Sequence, residues 1–191
     1  MKRNVILPVL LMASASAFGQ DTKAVPAGKC LIVYYSHTNT TRQIVDEIQA
    51  ITNADVFRIE PSKPYPEEYR SCTVVAKEEK AADARPAIAN KIADPDLYDT
   101  IFVGFPIWWG SRPMVVATLL ESYDFKGKNI VPFCTHGGGG AGQAFNEVAA
   151  HTPGANHLKG LVLTSGQASG SHQRVKQWID GILNIGYSSN K

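Results

Sequence analysis

The segment Ser36-His37-Thr38-Asn39-Thr40-Thr41 places four hydroxyls and one side-chain amide in six consecutive positions. Hydroxyl donors, free backbone amides and the positive end of a following helix together suit a phosphate group. The first cation downstream is Arg42, so the loop itself would hold a phosphate by hydrogen bonds and helix dipole rather than by a counter-charge. It is neither a Walker loop nor a G-x-G-x-x-G turn. Ser, Thr and Asn also cap helices, so ordinary N-capping is the alternative account of the same residues.

Two further segments carry residue types that need a reason. In Gly104-Phe105-Pro106-Ile107-Trp108-Trp109-Gly110-Ser111-Arg112-Pro113, adjacent tryptophans stand between Pro and Gly. Large aromatic surfaces in a loop call for something to cover, either a flat aromatic ligand, a protein partner or a neighbouring helix. In Thr135-His136-Gly137-Gly138-Gly139-Gly140-Ala141-Gly142, consecutive glycines raise the entropy lost on ordering. They are expected where a backbone approaches something closely or turns with positive φ; simple flexibility is the other reading. His37 and His136 are the imidazoles of these loops, able to relay a proton or merely to hydrogen-bond their neighbours.

These loops need elements to position them. The run Cys30-Leu31-Ile32-Val33-Tyr34-Tyr35 is continuously apolar, as in a parallel strand covered on both faces. Ile44, Val45, Ile48 and Ile51 then share one face of a helix that Thr40 or Thr41 starts. Residues 54–59 read as a second strand, followed by an extended loop forced by Pro61, Pro64 and Pro66 and a helix from near Glu67 that ends before Arg85-Pro86. Strands over 98–105, 129–134 and 158–163 alternate with helices over 114–120, 142–150 and 175–183. Ser165, Ser169 and His172, around residues 166–171, read as the cap of the last helix, and no Gly-x-Ser-x-Gly elbow suggests a hydrolase. Strand-helix alternation favours a mostly parallel α/β sheet with helices on both faces, because each parallel connection needs a right-handed crossover. Ligands of such sheets sit beyond the carboxyl ends of the strands, where all three loops fall.

At 191 residues and 44% hydrophobic content, the chain supports one core and one domain. Residues 1–19 read as a signal peptide: Lys2 and Arg3, an apolar run over 5–12, then small residues over 13–17. That run is shorter than the ~20 residues of a bilayer span. The mature chain is expected to start near Phe18 or Gln20, with 20–28 as linker and 29–191 as the domain. The expectation is therefore an exported protein, periplasmic or secreted, without stable membrane insertion; an uncleaved anchor is the alternative. Loss of Lys2 and Arg3 takes the basic count from 19 to 17, equal to the 17 acidic residues, so nothing points to nucleic acid. Cys30, Cys72 and Cys134 are odd in number, with no C-x-x-C or metal-ligand spacing. Cys30 and Cys134 read as buried strand residues; Cys72 falls in a more polar stretch.

With the three loops in this order, the chain resembles the flavodoxin superfamily from about residue 29 to 183, specifically a branch carrying a Pro-x-Trp-Trp-Gly loop. The resemblance implies a three-layer sandwich with a five-stranded parallel sheet of order 2-1-3-4-5 and FMN as cofactor. It implies that Ser36, His37, Thr38, Asn39, Thr40 and Thr41 hold the FMN phosphate, with Asn39 where the family has glycine. Asn tolerates left-handed angles, so the turn survives. Pro106, Ile107, Trp108, Trp109 and Gly110 would flank the isoalloxazine ring, and Thr135, His136, Gly137, Gly138, Gly139 and Gly142 would meet its pyrimidine edge.

Two departures from electron-shuttle flavodoxins bear on function. Shuttles are strongly acidic and stack a tyrosine from the third loop on the flavin, whereas this chain is near neutral and has glycines there. An uncovered face leaves room for a flat second molecule, unless Phe145, Tyr65 or Tyr69 covers it. The expected function is redox chemistry, with reduction of a quinone or similar acceptor by reduced nicotinamide or another donor. A one-electron carrier docking on a redox protein and a cofactor-free binding module are the alternatives.

Overall fold

The computed structural model of the chain describes residues 28–183. The segment read as a signal peptide, and all of the linker but Gly28, lie outside them. The elements run β1 (Cys30–Tyr34), α1 (Thr40–Thr52), β2 (Asp55–Arg58), α2 (Tyr69–Ala81), β3 (Thr100–Pro106), α3 (Met114–Glu121), β4 (Asn129–His136), α4 (Ala144–Ala150), β5 (Asn156–His157), β6 (Leu161–Thr164), α5 (Ser165–Ala168) and α6 (His172–Leu183). All strand pairings are parallel, in the order β2-β1-β3-β4-β5, with β6 also paired to β4. The order expected from the resemblance is the order observed.

Strand alternation divides the core into two layers. Leu31, Val33, Ile101, Val103 and Phe105 face Val115, Val116 and Leu119 of α3. Ile32, Tyr34, Phe102, Val131 and Phe133 face Ile44, Val45 and Ile48 of α1 together with Val175, Trp178 and Ile179 of α6. This burial on both faces is why the strands read as unbroken apolar runs rather than alternating ones.

Three local readings are corrected. The single fifth strand is two pieces: Ile130 pairs with His157 and Phe133 with Leu161, so the edge carries one extra residue. The interruption lies beside Pro132, which has no backbone N–H to contribute to a ladder. The helix expected near Glu67 begins at Tyr69, because the Glu68 carboxylate caps it by accepting from the Arg70 and Ser71 amides. The stretch read as a cap of the last helix contains a separate helical turn, α5, closed by a capping box between Thr164 and Gln167. Among the described residues no helix is long and apolar enough to cross a membrane.

Candidate functional site

The first loop turns at Asn39, whose φ of 59° lies in the left-handed region that Asn tolerates. Asn39 is the N-cap of α1 but makes no side-chain capping bond, so the first-turn amides of this 13-residue helix have no cap partner. The hydroxyls beside them are Thr38 and Thr40, 3.1 Å apart, and the buried Ser36 and Thr41. Two long-range contacts fix the loop. Thr41 Oγ1 lies 2.9 Å from Thr135 Oγ1 of β4, and Arg58 at the end of β2 donates to the Ser36 carbonyl (2.9 Å) and to Asn39 Oδ1 (3.3 Å). Sequence reasoning missed Arg58, because twenty-odd positions separate it from the loop and only parallel pairing of β1 with β2 brings it there. Arg42 is turned away, bonded to Asp46 and the Tyr34 hydroxyl.

The second loop is a tight turn. Trp108 and Ser111 exchange both backbone hydrogen bonds, at 2.9 and 3.0 Å, and the two residues between them have positive φ: 52° at Trp109 and 71° at Gly110. That is the type I′ arrangement, which Gly accepts freely and Trp does not. Trp109 is held in it by α2: its indole N–H donates to the Thr73 carbonyl, Lys80 donates to the Trp109 carbonyl, and the Lys77 ammonium sits 5.3 Å from the ring centre. The tryptophans thereby divide their roles. Trp109 lies on α2 and stays 52% exposed, whereas Trp108 points inward and meets Tyr35, Tyr65 and His37 edge-on, with centroids 5.6, 5.0 and 5.9 Å away.

The third loop is made of backbone. Gly138, Gly140 and Gly142 have positive φ, and side chains at Gly137 to Gly140 would meet nothing within 4 Å. Gly142 differs: a Cβ there would lie 2.3 Å from the Gly110 carbonyl, so the second and third loops touch through it. His136 Nδ1 accepts from the Gly138 amide at 2.9 Å and from the Gly140 amide at 3.0 Å.

Together the loops open onto one cleft of about 420 Å³. Ser36, His37, Thr38, Thr40 and Thr41 form its first wall, Pro106, Ile107, Trp108 and Trp109 its second, and Thr135 and His136 its third. Asn39, Gly110, Gly137, Gly138, Gly139 and Gly142 shape these loops without lining the cleft. Two contributions lie beyond the three loops, and of their residues only Tyr69 was foreseen. Ser165 of α5 lines it, and so does one side of α2 with its approach, through Glu67, Tyr69, Cys72, Thr73 and Ala76. Among the described residues, no lysine or arginine lines it.

Behind the aromatic wall, Tyr65 donates to Glu79 at 2.6 Å and the Tyr35 hydroxyl lies 3.4 Å from His37 Nδ1. Burial, reinforced for Tyr65 by the Glu79 carboxylate, pushes both phenols well above their ordinary range. Burial likewise raises Glu79 and the Cys72 thiol. The wall therefore stays neutral at physiological pH apart from its carboxylates. Phe145 packs against Phe105 and Gly160, and Tyr65 is buried among the aromatics, so neither covers the cleft. Tyr69, 79% exposed, stands at its edge. Cys30, Cys72 and Cys134 are free thiols; Cys30 is half-buried rather than buried, and burial pushes Cys134 up to about 12.

An ionic cluster ties the tryptophan turn to α4. Glu147 accepts from the Ser111 hydroxyl and from Arg112 Nη1 (2.9 Å), and Arg112, 4% exposed, also reaches His151 Nε2. A guanidinium has only donors, so His151 accepts there and carries its proton on Nδ1, facing Glu121 at 2.8 Å.

The donor set suits the group the sequence reading expects. Hydroxyls and uncapped helix amides stand at one end of the cleft for a phosphate, and an aromatic wall of matching flatness stands at the other. The flavodoxin family profile matches residues 29–182. No curated protein sequence matches the chain. Among solved structures, a candidate flavoprotein from Bacteroides uniformis is 34% identical, with a TM-score of 0.69 over 80% of this chain and 98% of that one. A candidate flavoprotein from Bacteroides eggerthii is 30% identical, with a TM-score of 0.69 over 81% and 97%. A flavoprotein from Lactobacillus acidophilus, solved in complex with FMN, shares the fold at 20% identity and a TM-score of 0.62, over 79% and 98%.

Proposed function

Because this chain belongs to the flavodoxin family, we propose that it binds FMN in the cleft and works as an exported reductase of a small flat acceptor such as a quinone. The observation that carries this reading is the convergence of a phosphate-type helix start, an indole wall and the Thr135–His136 strand end, where the glycine loop begins, on a single cleft. Ser36, Thr38, Thr40, Thr41 and the first amides of α1 would hold the phosphate; Trp108 would flank the ring, and Thr135 and His136 would meet its edge. FMN, when bound, supplies the electron transfer, and the protein supplies binding, orientation and its electrostatic setting. The Trp108 indole and the neutral Cys72 thiol on the cleft, backed by the neutral phenols of Tyr35 and Tyr65, suit an uncharged flat acceptor and a nicotinamide ring alike. Export rests on the charged, apolar and small-residue order of residues 1–19.

The exposed Trp109 and Tyr69 at the cleft edge support the one-electron carrier as the second reading. Purified protein should absorb near ~450 nm, where oxidised flavin does, and should oxidise NADH or NADPH with a quinone as acceptor. Bound FMN without that turnover selects the carrier. A colourless protein that cannot be reconstituted with FMN leaves the binding module. Fractionation of cells with flavin measured in each fraction tests export.

A further inference from the structure

The third loop has no side chains of its own to hold it, since Gly137 to Gly140 stand in open space. What closes it is a single acceptor. Nδ1 of His136 takes the amide hydrogens of Gly138 (2.9 Å) and Gly140 (3.0 Å), folding the loop over the imidazole of the residue that begins it. An imidazole nitrogen accepts only when it carries no proton. The ring must therefore be neutral and protonated on Nε2, with that N–H the ring's remaining polar group at the cleft wall. The main chain of His136 is fixed independently, by its register opposite Thr164 of β6 and by the Ser165 hydroxyl on its carbonyl. The strand end thus stays in place whichever state the ring adopts.

We propose that His136 is the positioning residue of the glycine loop, and that it works only as the neutral Nε2–H tautomer, so that protonation of the ring releases the loop and weakens the cofactor site. Adding a proton to Nδ1 sets an N–H against two backbone N–H groups. Both bonds are lost at once, and Gly138 and Gly140 regain backbone freedom that glycine has in excess. The titratable groups lining the same cleft are His37 on the first loop, Glu67 before α2, and Tyr69 and Cys72 on α2; none of them bonds to His136 among the described residues. The loop's state therefore follows its own imidazole.

The inference rests on FMN binding in this cleft only for its second readout; the first is independent of it. In the cofactor-free protein, the amide resonances of Gly138 and Gly140 should move together across a descending pH titration, in step with the His136 ring signals. Amides that stay still while the ring titrates overturn the proposal, whatever FMN does. FMN affinity should fall roughly tenfold over the same range, the size expected for two modest hydrogen bonds. His136→Asn places an acceptor oxygen that takes up no proton where Nδ1 stands, and should remove the pH dependence of the Gly138 and Gly140 resonances and of FMN affinity, at whatever affinity the variant has. His136→Ala should bind about as weakly as the protonated wild type at every pH. The response should persist in His37→Gln; its disappearance there, or its persistence in His136→Asn, overturns the proposal. If FMN binds at no pH, the proposed function fails and the amide titration still decides the loop.

Discussion

The first and third loops lie at neighbouring strand ends and border one cleft, yet they are built on opposite principles. The first is held by side chains from outside itself: Thr135 bonds Thr41, and Arg58 donates to the Ser36 carbonyl and to Asn39 Oδ1. The third is backbone folded on one imidazole and pinned at its far end where Gly142 meets Gly110. A side-chain loop distributes its energy over several bonds. A backbone loop concentrates it at the few positions where no other residue fits.

The comparison predicts graded effects. Gly142→Ala should be the most damaging change, because it requires left-handed backbone from alanine and drives a methyl into the Gly110 carbonyl 2.3 Å away. A loss on the order of 3 kcal/mol should appear in the denaturation midpoint, and a midpoint near wild type would mean the two loops do not touch there. Thr41→Val keeps the shape but strands the buried Thr135 hydroxyl. It should cost about 1–3 kcal/mol, whereas Thr38→Val, at an exposed position, should leave stability alone. FMN binding should weaken in both, and unchanged affinity in the double variant would remove the first loop as the phosphate site.

Arg58→Met should lower stability by about 1 kcal/mol or less and weaken FMN several-fold, read by fluorescence titration. Less still rides on His151, which steadies the Arg112 cluster at the end of α4. Burial, with Arg112 beside it, holds that imidazole below its ordinary value. The unfolded chain then takes up the proton first: the contribution is complete above about pH 6.5 and is lost as pH falls toward the folded value. Urea midpoints should decline over that interval in wild type and less steeply in His151→Gln. Gly139→Ala should change least, within about 0.5 kcal/mol, since its Cβ meets nothing and its φ is ordinary. A large effect there would show that the glycine run is needed residue by residue.

Much of this was legible in the sequence for identifiable reasons. Ile44, Val45 and Ile48 declare a helix face, and Cys30 to Tyr35 a doubly covered strand, because periodicity is a local property that burial imposes directly. The three loops stood out because hydroxyls, tryptophans and glycines in those numbers are poor filler. Where the reading slipped, the cause was a long-range partner in one place and a local cap in another. Pro132 on β4 marks the break in a strand more than twenty residues later, whereas the neighbouring Glu68 side chain set the start of α2. Apart from Tyr69, the α2 wall carried no local signal, since Cys72, Thr73 and Ala76 look like any partly buried helix face until the Trp108–Ser111 turn is laid against them.

The sequence alone determined the alternation of strands and helices and singled out the three loops, because periodicity and loop composition follow from the intrinsic geometry of short segments. Only the tertiary structure decided how the labour is divided. It sent one tryptophan inward and the other onto α2, brought Arg58 behind the first loop, and separated the glycines whose backbone or neighbours require glycine from one, Gly139, that merely stands free. Such choices depend on distances between segments remote in the chain, and those distances exist only once the sheet is assembled in its order.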